Sequence, residues 1–335
     1  MNTIAKGAKI TLIGDGGWGT TLAILLKQQG YRVSLWGPFA DYLRILDKKR
    51  QNPKFLPGVK IPKEISFSEH LQEAIQDAAL IILAIPSHFL RGVLKRIKKE
   101  SLGGTLILSA VKGIENDTLM RVSELIQDVW GRQSVAVLSG PTISYEVARG
   151  IPTTCVVASE DIALAEQIQD IFICERFRVY TSCDLVGVEL GGALKNVIAL
   201  ACGISDGLGF GANTKAAILT RGLVEITRLG LKMGARQETF YGLSGLGDLV
   251  TTCISTHGRN RWVGEQIGKG KKLPDILSKM EMVAEGLRTA KSAFMLAQKY
   301  NVEMPITRQI YAVLYEDKDP RQAVRDLMLR EKKAE

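Results

Sequence analysis

A single cation interrupts the most apolar stretch of this chain. Gly187 to Gly203 reads Gly-Val-Glu-Leu-Gly-Gly-Ala-Leu-Lys-Asn-Val-Ile-Ala-Leu-Ala-Cys-Gly. The long alanine-rich run predicts a helix buried in a core, and Gly191, Gly192 and Ala193 leave room for another backbone or a ligand. An ammonium there is costly unless it is paired, faces a polar cavity or gives up its proton. Most lysines sit on the wet face of an amphipathic helix, but the small and apolar neighbours of Lys195 favour a chemical role. A free lysine titrates near about 10.4, too high for efficient proton exchange at neutral pH. Partial burial would lower that value, with Asp248 as the carboxylate to orient the amine.

A second candidate chemistry lies near the N-terminus. Lys9 to Ile13 reads as a β-branched strand, Gly14-Asp15-Gly16-Gly17-Trp18-Gly19 as a glycine turn, Thr20 to Gln29 as a helix and Tyr31 to Trp36 as the next strand. A G-x-G-x-x-G run in that context is a dinucleotide fingerprint. Gly14 makes the turn, Gly16 lets a pyrophosphate approach the backbone, and Gly19 lets helix and strand pack. The anion would rest on the N–H groups of the helix start. Selection of NAD calls for an acid at the end of the second strand. Here that strand ends Trp36-Gly37-Pro38-Phe39, with no acid before Asp41 and no adjacent Arg or Lys, so the choice between NAD and NADP stays open.

Further polar groups stand at strand ends and helix starts. Lys112 follows the strand Thr105–Ser109, and Gly140-Pro141-Thr142-Ile143-Ser144 follows Val135–Ser139, at the carboxyl edge where such sheets bind ligands. Taken alone, they read as a solvated loop lysine and a sharp turn. Gly258-Arg259-Asn260-Arg261 precedes a helical run, and a guanidinium, an amide and free N–H groups together make a phosphate receptor. An ordinary cap with surface arginines is an even alternative there, and Asp248 also reads as a cap.

The elements that must position these residues fall into two patterns. Ala78 to Ile85 is a continuous apolar run of the kind found in a central parallel strand. With Thr153–Ala158 and Phe177–Thr181 it completes a strand–helix alternation, while Asn52 to Gly58 reads as a loop. Beyond Asp184 only helical spacing remains, over 213–229, 274–280, 285–300 and 306–315. The prediction is an α/β protein: a Rossmann-type domain over 1–184 and an all-helical substrate and catalytic domain over 185–335. A chain of 335 residues has the core for both.

Composition narrows the function classes. No run reads as long enough to span a bilayer, so no integral membrane segment is expected. Nor does the N-terminus read as a signal peptide. Cys155, Cys174, Cys183, Cys202 and Cys253 form no C-x-x-C pair, and only His70, His88 and His257 are present. That disfavours a metal site or a Ser-His-Asp triad and fits reduced thiols in the cytoplasm. The net charge of +9 is spread over helices without interleaved aromatics. It reads as attraction for small phosphates rather than as nucleic-acid binding.

In this order the segments resemble the bacterial NAD(P)-dependent glycerol-3-phosphate dehydrogenases: Gly14–Thr20, Phe55–Gly58, Val111–Glu115, Ser139–Thr142, Glu189–Asn196, Gly245–Asp248, Ser255–Arg261 and Val283–Gly286. The resemblance covers nearly the whole chain. It implies a C-terminal domain like that of 6-phosphogluconate dehydrogenase. It also implies reduction of dihydroxyacetone phosphate to sn-glycerol 3-phosphate with NADH or NADPH, supplying phospholipid synthesis. By the same resemblance Lys195 is the catalytic proton donor or acceptor. Substrate contacts would be Lys112, Gly140, Thr142, Lys195, Asp248, Gly258, Arg259 and Asn260. Cofactor contacts would be Gly14, Gly16, Gly17, Trp18, Gly19, Lys112, Ser144, Arg259, Val283 and Glu285, with no metal. Three features depart from the family pattern: Pro38 and Phe39 replace basic character, Thr142 replaces a serine but keeps the hydroxyl, and Gly258 often has serine in its place.

The expected assembly is a homodimer, from the buried apolar helices. Two other readings of the residues are a ketopantoate or 3-hydroxyacyl reductase and a non-catalytic dinucleotide sensor. The first lacks the combination of Gly-Leu-Gly-Asp248 with Arg259-Asn260. The second leaves Lys195 unexplained and has no DNA-reading module to support it.

Overall fold

The computed structural model describes residues 4–256, 258–280, 283–332 and 334. His257, part of the Ser255–Arg261 segment, lies outside them. The chain packs as two units, Met1–Lys112 with Met120–Glu189, and Gly113–Leu119 with Leu190–Glu335.

The first unit is built on strands β1 (Lys9–Ile13), β2 (Arg32–Trp36), β5 (Ser66–Ser68), β6 (Leu80–Leu83), β7 (Leu106–Ser109), β8 (Val135–Ser139), β9 (Thr153–Ala158) and β10 (Phe177–Ser182). They form one sheet in the order β10-β9-β8-β7-β6-β1-β2-β5, parallel except where β9 meets β8. The remaining strands, β3 (Gln51–Asn52) and β4 (Leu56–Lys60), pair as a small antiparallel hairpin. That segment reads as a loop in the sequence because Pro53, Pro57 and Gly58 mask the strand, and a strand bearing proline is tolerated only in such a marginal sheet. The apolar runs explain the rest. Ile10, Leu12, Leu80, Ile82 and Leu108 enter one buried cluster, while Ile13, Ile81, Leu83 and Ile107 enter another. Alternate residues thus feed opposite faces, as a parallel sheet covered on both sides requires.

The strand order fixes the site. The chain leaves β1 for β2 and β5 on one side, then returns to β6 and β7 on the other. The turn after β1 is therefore the switch point at which open sheets of this kind bind ligands. The first helix, Gly17–Gln28, begins there.

The helix Leu185–Gly207 carries the boundary between the units. Asp184 caps it, accepting from the Gly187 N–H at 2.9 Å. Residues 187–205 are all buried, as a helix apolar on every side must be. This helix corrects one expectation: it is long and apolar enough to cross a membrane by length and composition, yet nearly all of it is buried inside the protein. The charges on it interrupt the run when it is read along the sequence.

The rest of the second unit includes the helices Ala212–Lys232, Arg259–Gly268, Glu285–Lys299 and Pro305–Tyr315. Two glycine pairs set the crossing of the long helix with the Arg259 helix. A Cβ at Gly203 would lie 2.0 Å from the Arg261 carbonyl oxygen, and one at Gly264 would lie 2.2 Å from that of Leu200. One turn on, Gly207 and Gly268 repeat the arrangement at 2.3 and 2.4 Å from the carbonyls of Glu265 and Ile204. The backbones touch, which no larger residue allows.

Candidate functional site

The glycine turn of the first unit is shaped as an anion cradle. Gly14 has φ +126°, and a Cβ there would meet the Ala84 carbonyl oxygen at 2.4 Å. A Cβ on Gly19 would fall 1.9 Å from the Gly14 oxygen, and one on Gly17 2.5 Å from the Phe55 oxygen. These three glycines are required by packing. Gly16 differs, because nothing lies within 4 Å of a Cβ built on it. It precedes the first helix, whose opening turn has neither a side-chain cap nor an acid. Open space over unclaimed backbone N–H groups is what a pyrophosphate needs. The residues present therefore fit a dinucleotide. Trp18 packs against the sheet core.

Asp15, inside the same turn, is only 8% exposed. Burial raises its pKa to about 6, opposed by a hydrogen bond from its own backbone and by the charge of Lys54. Its carbonyl accepts from Asn52 Nδ2 at 2.8 Å and Thr20 Oγ1 at 3.4 Å. Tyr42 Oη donates to Asn52 Oδ1 at 2.6 Å. Sequence reasoning gave neither Asp15 nor Asn52 a role. The lack of an acid at the end of β2 was the available signal for Asp15.

Lys112, Gly140 and Thr142 come together at the carboxyl edge of the sheet. Lys112 Nζ donates to the Gly140 oxygen at 2.9 Å and to Thr142 Oγ1 at 3.3 Å. Thr142 Oγ1 donates to the same Gly140 oxygen at 3.1 Å. Gly140 has φ +127°, and a Cβ there would crowd the Cys155 Cα at 3.0 Å, so glycine is needed for the turn itself. Ser144 opens the short helix Ser144–Ala148, and its carbonyl accepts from Thr21 Oγ1 at 3.1 Å.

In the second unit Lys195 is 6% exposed and Asp248 2% exposed. Lys195 Nζ forms an ion pair with Asp248 and donates to Thr252 Oγ1 at 2.8 Å. Thr252 Oγ1 also lies 3.4 Å from Asp248 Oδ1. Asp248 begins the helix Asp248–Ile254, so Thr252 stands one turn along the same face. A Cβ on Gly191 would lie 2.6 Å from the Ser244 oxygen, so the small residue of the long helix admits the turn Leu243–Gly247 that precedes Asp248. Sequence reasoning assigned Thr252 no role; its spacing of four from Asp248 was the available signal.

The phosphate candidates adjoin this cluster. Asn196 and Asn260 are both buried. Asn260 Nδ2 donates to Asn196 Oδ1 at 2.9 Å, and Asn260 Oδ1 accepts from the Gly286 N–H at 2.9 Å. One amide N–H of Asn260 stays uncommitted in these bonds. Arg259 Nη1 donates to the Val283 oxygen at 3.0 Å. Surrounding protein atoms pull the Arg259 pKa down, opposed by the charge of Glu285 at the start of its helix. Although that crowding is substantial, the side chain still reaches solvent. Gly258 precedes the Arg259 helix, and a Cβ there would press on the Thr252 and Ser255 oxygens at 3.0 and 3.2 Å.

Glu189, another missed residue, ties the start of the long helix down. It accepts from the Ser123 N–H and Oγ at 2.7 Å each and pairs with Arg121. Burial raises its pKa, while Arg121 and Ser123 oppose the rise.

Comparison with known proteins decides the family. Residues 9–165 match the N-terminal profile, and 184–325 the C-terminal profile, of NAD-dependent glycerol-3-phosphate dehydrogenase. A glycerol-3-phosphate dehydrogenase [NAD(P)+] of Syntrophotalea carbinolica is 52% identical over 97% of this chain and 99% of its own length. The chain belongs to the glycerol-3-phosphate dehydrogenase family. The Fusobacterium nucleatum member is 48% identical, with 98% of each chain covered. A crystal structure of the Coxiella burnetii glycerol-3-phosphate dehydrogenase superposes with a TM-score of 0.94 at 35% identity, covering 97% of this chain and all of that one. The family assignment agrees with the α/β-plus-helical architecture described above.

Proposed function

We propose that this protein interconverts dihydroxyacetone phosphate and sn-glycerol 3-phosphate, using NAD(H) or NADP(H). The observation that carries the reading is the buried Lys195 ammonium held by Asp248 and Thr252 in a chain of this family. The bound cofactor supplies the hydride to the ketone carbon. As the carbonyl oxygen gains negative charge, the Lys195 ammonium stabilises it and donates the proton. Asp248 and Thr252 keep the amine in one orientation, so little is lost to reorganisation. Arg259 and the remaining amide N–H of Asn260 grip the substrate phosphate, away from the reacting carbon.

The glycine turn, with Gly14, Gly16, Gly17, Trp18 and Gly19, holds the dinucleotide. Lys112, Gly140, Thr142, Ser144, Gly258, Val283 and Glu285 complete the proposed contacts, within a dinucleotide domain of 1–184 and a catalytic domain of 185–335. The enzyme works as a cytoplasmic homodimer, and its product supplies the glycerol backbone of phospholipids. The test is the initial rate of NADH or NADPH oxidation with dihydroxyacetone phosphate, set against ketopantoate and a 3-ketoacyl substrate. Turnover of either rival in preference to dihydroxyacetone phosphate would reject the substrate.

A further inference from the structure

Asp15 combines three features that the fold does not explain. First, it is nine-tenths buried and its Oδ2 has no hydrogen-bond partner among the described residues. A buried carboxylate oxygen without a donor is costly and calls for a reason. Second, it does not cap the helix that starts two residues later, which has no side-chain cap at all. Third, its carboxyl lies against the end of β2: a Cβ built on Gly37 would sit 2.4 Å from both Asp15 Cγ and Asp15 Oδ2.

Gly37 follows the last residue of β2. That strand end is where a dinucleotide fold places the acid that receives the adenosine ribose, and here it reads Trp36-Gly37-Pro38-Phe39. The carboxyl of Asp15 fills the volume that a side chain at 37 would take. It is held there from behind. Asn52 and Thr20 bind the Asp15 carbonyl, and Asn52 is fixed in turn by Tyr42 Oη and by the Phe55 N–H at 3.1 Å. The backbone that carries this unpartnered acceptor is thus fixed before any ligand arrives.

We propose that Asp15 supplies, from the glycine turn, the carboxylate missing from the end of β2. It accepts the 2′-hydroxyl of the adenosine ribose and thereby makes the enzyme select NADH over NADPH. A 2′-phosphate would bring its negative charge onto the same oxygen. Lys54, whose charge acts on Asp15, is exposed and screened by water, so it offsets little of that repulsion. The inference rests on the dinucleotide reading of the glycine turn and goes beyond it by choosing between the two cofactors.

The experiment is a fluorescence titration of NADH and NADPH into the full-length wild type and Asp15→Ala, without substrate. The wild type is expected to bind NADH at least about tenfold more tightly than NADPH, as one hydrogen bond to a charged group implies. Asp15→Ala is expected to weaken NADH about tenfold and to leave NADPH unchanged or tighter, bringing the ratio of the two dissociation constants towards one. An equal loss for both dinucleotides would overturn the proposal. The wild type titrated with 2′-deoxy-NADH gives a check that needs no variant. That analogue should bind about tenfold more weakly than NADH, and equal affinity would overturn the ribose contact while leaving the dinucleotide site standing. Binding of neither NADH nor NADPH by the wild type would reject the dinucleotide reading itself.

Discussion

At Gly16 an added Cβ would meet nothing within 4 Å; at Lys195 the ammonium already touches a carboxylate and a hydroxyl. The first site is backbone and vacant volume, and its ligand brings the charge. The second is a charge that the fold itself has had to neutralise. The two should respond to mutation in opposite ways. Filling the vacancy at Gly16 costs the free protein little and the complex much. Removing the amine leaves Asp248 buried without its cation, so function and stability are both affected.

The largest effect belongs to the amine. Lys195→Ala should lower kcat by roughly 10² to 10⁴, the usual weight of a general acid, while NADH binding stays near that of the wild type. Kinetics alongside a direct titration measure both. An alanine variant with ordinary turnover would end the proton role, and one that had lost NADH binding would make the amine part of the cofactor site as well. Because Asp248 then lacks the Lys195 cation, Lys195→Ala with Asp248→Asn is the control: it should recover stability but not turnover.

Arg259→Ala comes next. A guanidinium–phosphate contact is worth a charge-assisted hydrogen bond or two, so KM for dihydroxyacetone phosphate should rise on the order of 30-fold. A larger fall in kcat than rise in KM would place Arg259 nearer the reacting carbon than proposed. Gly16→Ala should then weaken NADH and NADPH alike by about tenfold, since one methyl intrudes where the phosphate would lie. Its melting temperature should match the wild type, because no protein atom opposes the methyl. Undiminished cofactor binding would mean that the cradle is empty for some other reason.

These contrasts also explain what the sequence could reveal. A glycine turn is contiguous, so strand, turn and helix were readable between Lys9 and Trp36, and the apolar runs at Leu80 and Val135 were readable for the same reason. The Lys195 cluster is assembled across 57 residues of sequence, from Lys195 to Thr252. The odd lysine was visible, and Asp248 could be guessed from its glycine-rich surroundings, with Thr252 one helical turn on, but the Asn196–Asn260 pair needed the helix crossing. That crossing is written as Gly203 and Gly207 against Gly264 and Gly268, a spacing of four that carries no charge and little hydrophobic signal. The β3–β4 hairpin was hidden for the opposite reason: its prolines and glycine spell a turn even though the backbone pairs.

A buried acid in each unit separates the influence of donor count from that of burial. Asp15 has an oxygen with no donor among the described residues, and its pKa rises to about 6. Glu225 is 2% exposed and accepts from the Ile306 N–H at 2.6 Å, the Thr307 N–H at 3.1 Å and Thr307 Oγ1 at 3.0 Å, closing the start of the helix Pro305–Tyr315. Its pKa nevertheless rises to about 7, because burial outweighs those bonds. An acid whose pKa is higher folded than unfolded binds its proton more tightly in the native state. Its contribution is therefore full below the unfolded value of 4.5 and is lost as pH rises through about 7. The loss amounts to at most roughly 3 kcal/mol. Glu225→Gln removes that titration. It also sacrifices an acceptor, which lowers stability by a similar amount at every pH. Between pH 5 and 8 the melting temperature of Glu225→Gln should thus fall by a few degrees less than that of the wild type. Asp15 and Glu189 titrate in the same sense in both proteins, so the difference between the two slopes isolates Glu225. Parallel slopes would mean that the three donors hold Glu225 charged throughout, and that donor count rather than burial sets its protonation.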